Sequence, residues 1–401
     1  MTPKGLLMAA VIAMAAPAAH AGWVGTWQAS PQPRWEGDFP LPTLLPFQLA
    51  DQTVSQPLRI SVGGPRLRVV LSNQYGKAPL RLDTVRVRRA DGQALPVTFG
   101  GADSVTIPSG APALSDPVEL PTKALDRLVV DLHVPGPAPV DSFHWDGQAT
   151  GMIAPGNQSG KPLQDAAPIT TRLFLSGIAV ETDRPRAIVA LGDSITDGAA
   201  SGLDQDARWP DFLAQSLAPQ GIAVQNAGIS GSRLLRSKMG ENALARLDRD
   251  VFAQPGLAAL VVLIGINDIA WPGHAFPPDE RPATADELIA GYRQIAERAH
   301  LRGVPVVAAT LTPFKGALTG TPLVGYYAPE KDALRQPVNA WIRDGGAFDA
   351  VVDLDRALQD PADPLRLRAD DQADGLHLSP AGNARAAEAI SKAVSALVSG
   401  K

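Results

Sequence analysis

Ser194 stands in Gly192-Asp193-Ser194-Ile195, directly after the apolar run Ala187-Ile188-Val189-Ala190-Leu191. Further along come a glycine-rich turn, Asn226-Ala227-Gly228-Ile229-Ser230-Gly231-Ser232, and a short block, Gly265-Ile266-Asn267-Asp268. Near the C-terminal end, Asp374-Gly375-Leu376-His377 sets an imidazole just after a carboxylate. These stretches hold a hydroxyl, a base, a carboxylate to orient it and turns able to present N–H groups. Acyl transfer asks for that set: a nucleophile, a general base, an orienting carboxylate and donors for a tetrahedral oxyanion. Each residue alone has a plainer reading. Ser194 could simply cap a helix, His377 sit at a helix start or on the surface, and Asn267 belong to a turn.

The elements around these residues decide between the readings. The unalternating run before Ser194 reads as a strand buried on both faces, as in a parallel sheet. From residue 185 onward strands alternate with helical patterns, the mark of repeated βαβ units. The expected strands after the first are Ile222 to Asn226, Leu257 to Ile264, Val304 to Thr310 and Ala350 to Asp353. Helices are expected around Trp209 to Leu217, Gly240 to Val251, Thr284 to Arg302, Glu330 to Asp344 and Pro380 to Val398. The predicted architecture is α/β, a doubly wound, flavodoxin-like parallel sheet of five strands. Open sheets of this kind keep their ligands outside the carboxyl ends of the strands, and every candidate above falls there.

Residues 22 to 184 read differently. Leu58 to Val62, Leu67 to Leu71, Val85 to Arg88, Leu128 to Val134 and Arg172 to Ile178 are strand-like, with Pro and Gly between them. An all-β sandwich is expected there, with its boundary at Thr182-Asp183-Arg184-Pro185. Its aromatics Trp23, Trp27, Trp35, Phe39, Phe143 and Trp145 could stack on sugar rings or pack the chain onto the body, and packing is favoured.

With 401 residues, 45% hydrophobic and 19% charged, the chain describes two globular domains rather than one. The net charge of −5 gives no footing for nucleic acid or an anionic membrane. No cysteine is present, which removes disulfides, thiolate catalysis and zinc–cysteine sites. Residues 1 to 21 read as a signal peptide: Lys4, the apolar run Leu6 to Ala16, and Ala19-His20-Ala21 as a cleavage site. Export to the periplasm or the medium is expected. That run is too short to span a bilayer, and no later one reaches the required length of about 18 apolar residues.

Taken together, Gly192-Asp193-Ser194-Ile195, Gly231, Gly265-Ile266-Asn267-Asp268 and Asp374-Gly375-Leu376-His377 resemble the four blocks of the SGNH, or GDSL, hydrolases, in the family's order. The resemblance covers residues 187 to 398, with Ile195 where the family letters have Leu. Asn267-Asp268-Ile269, Thr310-Leu311-Thr312-Pro313-Phe314 and Val338-Asn339-Ala340-Trp341-Ile342-Arg343 look most like the acetylxylan-esterase-like branch. The resemblance implies a catalytic triad of Ser194, His377 and Asp374. It also implies an oxyanion hole from the N–H groups of Ser194 and Gly231 and the side-chain amide of Asn267. Gly228 is a rival for Gly231, and Asp370 and Asp371 are rivals for Asp374. His133, His144, His274 and His300 read as structural or solvated.

Two long insertions, Ala270 to Ala283 and Phe314 to Ala328, frame the expected crevice. Trp271, His274, Tyr326 and Tyr327 within them are candidate substrate contacts. The expectation is a serine esterase that removes acyl groups, acetyl by the branch resemblance, from a polysaccharide such as xylan, with no metal and no cofactor. Its rivals are a lipase, lysophospholipase or aryl esterase of the same family, and a non-catalytic carbohydrate-binding protein. A metal-dependent deacetylase is disfavoured, because the six histidines are scattered rather than paired.

Overall fold

The structure, a computed structural model, describes residues 21–35, 39, 41–90, 92–273, 278–323 and 325–398. The expected signal peptide, except Ala21, and the candidate His274 lie outside them.

Antiparallel strands fill the N-terminal part. Period-two alternation builds them: in Leu67–Ser72, Leu67, Val69 and Leu71 are buried while Arg68 and Val70 are half-buried. One sheet has four strands, ordered Gly22–Gln28, Leu175–Thr182, Leu67–Ser72, Pro112–Leu114. The larger one, of seven, is centred on Gln52–Arg59, Arg127–Val134 and Leu80–Arg89. Val54, Leu82 and Leu132 from one and Val69, Ile178 and Val180 from the other fall in a single hydrophobic core, as a sandwich requires.

Two strands differ from expectation. The run at Leu58 belongs to a strand that begins at Gln52 and ends at Arg59. The expected strand Arg172 to Ile178 is cut at Phe174, whose φ of 60° turns a corner between two sheets.

Beyond residue 186 the sheet is parallel, five-stranded, and ordered Ala223–Gly228, Ala187–Gly192, Leu257–Leu263, Val306–Ala309, Ala350–Val352. The doubly wound, flavodoxin-like order is the expected one. Every residue of Ala187–Gly192 is buried, as a central strand covered on both faces must be. The expected helix at Thr284 forms as Ala285–His300. Thr284 and Glu287 cap it reciprocally, with Glu287 N–H donating to Thr284 Oγ1 at 3.2 Å and Thr284 N–H to Glu287 Oε2 at 2.8 Å. The expected helix Gly240 to Val251 is instead the short α-helix Ala243–Leu247 running into a π-turn, Asp248–Phe252. The last helix is Pro380–Val398.

The β sandwich and the parallel sheet share one core. Strand Gly22–Gln28 lies against Ala223–Gly228 so closely that a side chain at Gly25 would collide with Gln225. Hydrogen bonds cross the junction: Val224 N–H donates to Ser61 Oγ at 3.0 Å, and Gln32 Nε2 to the Met239 carbonyl at 2.8 Å. No described helix is long and apolar enough to cross a membrane.

Candidate active site

Strand Ala187–Gly192 delivers Ser194 to the carboxyl edge of the sheet. Asp193 follows it in extended conformation and its Oδ1 accepts the Ile195 N–H at 3.0 Å, capping the four-residue helix Ser194–Asp197. Gly192 is required sterically, since a Cβ there would collide with Thr196 Oγ1. Gly198, with φ of 103°, ends the helix. Ser194 is 7% exposed.

Its hydroxyl lies 2.9 Å from His377 Nε2, and His377 Nδ1 lies 2.7 Å from Asp374 Oδ2. The other carboxylate oxygen, Oδ1, accepts the backbone N–H of His377 at 2.8 Å and of Leu376 at 3.1 Å, so Asp374 both forms the turn and aims the ring. Burial would raise the Asp374 pKa, but the His377 imidazole and these N–H groups hold it below the usual carboxylate range. Gly375 has φ of 82°, and its Cβ position is blocked by the Gly316 carbonyl of the second insertion. Leu318 N–H donates to the Asp374 carbonyl at 2.8 Å, tying that insertion to the same turn. The rivals point elsewhere: Asp371 is buried and pairs with Arg385 at 2.8 Å, and Asp370 is exposed.

The glycine-rich turn resolves its two candidates by their hydrogen bonds. Gly228 N–H is taken by Asn226 Oδ1 at 2.8 Å. Among the described residues no protein acceptor takes the Gly231 N–H. Gly231 has φ of 76°, and the space a side chain would need is filled by Met239 and Trp271. Asn267 Nδ2 donates to the Ser232 carbonyl at 3.0 Å, and Tyr326 OH donates to Asn267 Oδ1 at 2.7 Å. Burial keeps the Tyr326 hydroxyl protonated by raising its pKa well above the ordinary value. The amide is thereby fixed O-to-Tyr326 and N-to-Ser232, with its second N–H left to point elsewhere.

Tyr326, expected as a substrate contact, is 2% exposed and orients Asn267. Trp271, also 2% exposed, packs against Phe39 with centroids 6.0 Å apart and lies under the Arg233 guanidinium. Tyr327 is half-buried, edge-on to Phe314 at 5.1 Å. The N-terminal aromatics pack as favoured: Trp35 meets Phe39, Phe143 and Trp145 edge-on at 5.9, 5.6 and 5.4 Å.

Three buried charged side chains stand near the strand tips, Asp193 and Asp268 within the motif blocks and Arg246 outside them. Arg246 donates to the Ala227 carbonyl at 2.6 Å and the Gly192 carbonyl at 2.9 Å, holding two strand ends together. Its charge is met by Asp250 at 3.0 Å, and that four-residue spacing was the one signal available. Asp193 is pushed up to about 7 and Asp268 to about 6, both by burial. Asp268 still accepts the N–H groups of Leu234 and Leu235, the second at 2.9 Å, which spreads the turn that carries Gly231.

Residues 190–385 match the model of the GDSL-like lipase/acylhydrolase family. No curated protein matches the chain. Among solved structures, the chain is similar to an acetyl xylan esterase, AlAXEase, at 18% identity, covering 52% of this chain and 99% of that one, with a TM-score of 0.39. It is similar to a GDSL-like lipase from Bacteroides thetaiotaomicron VPI-5482 at 15% identity, covering 54% and 88%, TM-score 0.38. A third, TesA, shows 23% identity, covering 53% and 100%, TM-score 0.39. Likenesses this distant say nothing of substrate. The four blocks gathered at the strand tips all lie within residues 190–385, the stretch that matches the GDSL-like lipase/acylhydrolase model.

Proposed function

We propose that the protein is an exported serine esterase that removes short acyl groups, acetyl foremost, from a polysaccharide such as xylan. One observation carries the ester-hydrolase reading: the unbroken line Asp374–His377–Ser194, at 2.7 and 2.9 Å. The carboxylate accepts the Nδ1 proton, which leaves the Nε2 lone pair facing the Ser194 hydroxyl. Ser194 Oγ attacks the ester carbonyl while Nε2 takes its proton. The oxyanion is met by the N–H groups of Ser194 and Gly231 and by the free amide hydrogen of Asn267. Collapse expels the alkoxide, which receives the proton from His377. Water, deprotonated by the same nitrogen, then releases the acid and restores Ser194. Export rests on the N-terminal sequence, and the polysaccharide on the branch resemblance.

Asn267→Ala removes one oxyanion donor and should lower kcat by about 10²–10³. It also deletes the hydrogen bonds that Asn267 makes to the Tyr326 hydroxyl and the Ser232 carbonyl, costing about 1–3 kcal/mol of stability. Tyr326→Phe keeps Asn267 but frees its amide, and should lower kcat roughly fivefold, the worth of about 1 kcal/mol. Steady-state kinetics with melting temperatures checks both. An unchanged kcat with raised KM in Asn267→Ala would make it a ground-state contact.

Met239 and Trp271, each 2% exposed, fill the space beside Gly231, and a short acyl group is the one that such crowding next to the proposed oxyanion donor favours. On p-nitrophenyl esters kcat/KM should peak at acetyl and fall steeply by butyryl or hexanoyl, since steric exclusion costs more than a lost methylene contact. Acetylated xylan should release acetate. A rate that climbs with chain length, with no acetate from xylan, would move the function to a lipase.

A further inference from the structure

We propose that the β sandwich completes the active site: His144, through Asp197, is a positioning residue that locks the Ser194 helix to the Ser230–Gly231 turn. The proposal rests on the esterase reading above.

His144 lies in strand Ser142–His144, the middle of a small three-stranded sheet in the N-terminal β unit, and is 4% exposed. Its Nδ1 is 3.0 Å from the Ser30 carbonyl, and its Nε2 is 2.9 Å from Asp197 Oδ1. Asp197, 1% exposed, is the last residue of the helix that begins with Ser194. Its other oxygen, Oδ2, accepts two bonds from Ser230, from the backbone N–H at 2.8 Å and from Oγ at 2.9 Å. Ser230 immediately precedes Gly231. One carboxylate therefore joins the nucleophile's helix to the turn that presents the oxyanion donor, and a histidine from the other unit holds that carboxylate.

The protons follow from the partners. A carbonyl only accepts, and so does an ionised carboxylate, so a neutral imidazole could satisfy one neighbour but not both. The ring is an imidazolium and the pair is an ion pair, in keeping with the upward direction of the His144 pKa. Burial opposes that direction, and the Asp197 charge and hydrogen bond with the Ser30 contact overcome it. The other charges facing the pair are Asp146, whose Oδ2 is 3.2 Å from Ser230 Oγ, and Arg208. Asp146 is itself shifted upward, by burial first and then by the Asp197 charge. Removing His144 would leave Asp197 buried without its histidine partner, free to turn away from Ser230. Oxyanion donors act only over a few tenths of an ångström, so a shifted Gly231 N–H would slow the chemical step without weakening ground-state binding.

The test uses the full chain and p-nitrophenyl acetate. His144→Leu should lower kcat about 10–100-fold with KM within about twofold. In that background the further loss from Asn267→Ala should shrink, because both act on one oxyanion. Ser230→Ala deletes the hydroxyl that faces Asp197 and Asp146, keeps the backbone bond to Asp197, and should cost about fivefold in kcat. If His144→Leu does not fold, Ser230→Ala decides by the same criterion. Values of kcat within twofold of the parent, or losses confined to KM, would overturn the proposal. An inactive parent, or an active Ser194→Ala, would defeat the esterase reading instead, whatever His144 does.

Discussion

Ser194→Ala should lose ester turnover by a factor approaching 10⁶ in kcat, the scale set by removal of a triad serine elsewhere. The fold should survive, because the hydroxyl's hydrogen bond is to His377 alone among the described side chains. An organophosphonate should label Ser194 in the parent and nothing in the variant. Ser230 is the nearest alternative nucleophile on the glycine-rich turn, but its hydroxyl faces Asp197 and Asp146 rather than an imidazole. A base is what activates a serine, and two carboxylates engaged elsewhere supply none. Labelling of Ser230, or a Ser194→Ala variant that still turns over ester, would displace the assignment.

Asp374→Asn should cost about 10⁴ in kcat. The amide can donate to Nδ1 where the carboxylate could only accept, which drives the ring proton to Nε2, toward the serine it must deprotonate. The backbone bonds to Leu376 and His377 can persist, so the loss should appear in kcat with little change in melting temperature near neutral pH. The acid limb of stability carries a second signature. The Asp374 pKa is depressed in the folded protein, so its contribution is present above the ordinary carboxylate value and lost as pH falls through the folded one. The Asn variant should lack that part of the loss. Melting temperatures of the two proteins from neutral pH down through the carboxylate range would check it; parallel curves would contradict it.

Much of the site was legible because its information is local. A buried strand followed by Gly-Asp-Ser, an Asn-Asp block after another strand, and an aspartate one turn before a histidine each announce themselves within a few residues. The rule that strand tips converge then assembled them. The resemblance already favours Gly231 over Gly228, and the structure adds that the Asn226 side chain takes the Gly228 N–H. What the sequence hid was long-range. His144 and Asp197 are 53 positions apart, and neither periodicity nor spacing links a sandwich strand to the helix after the nucleophile. Tyr326 lies in an insertion whose aromatics suggested a rim, yet its hydroxyl turns inward by 59 positions to Asn267. The π-turn at Asp248–Phe252 has no counterpart in the apolar pattern, which suggested a regular helix there. Phe174, an ordinary strand residue by composition, takes a left-handed corner because two sheets meet there.

The sandwich thus has two attachments to the chemistry. One is the His144–Asp197 pair. The other is aromatic: Trp35 and Phe39 run to Trp271, which closes the space beside Gly231. Both depend on side chains buried between the units.

Ser194 should become acylated during turnover, and the intermediate can be trapped. Mixing the enzyme with excess p-nitrophenyl acetate and quenching in acid should give a burst of p-nitrophenol matching the enzyme present. Peptide mass spectrometry should then find one acetyl group on the peptide bearing Ser194, absent from Ser194→Ala. Steady turnover with no acetyl on that peptide, or with the acetyl on Ser230, would contradict it.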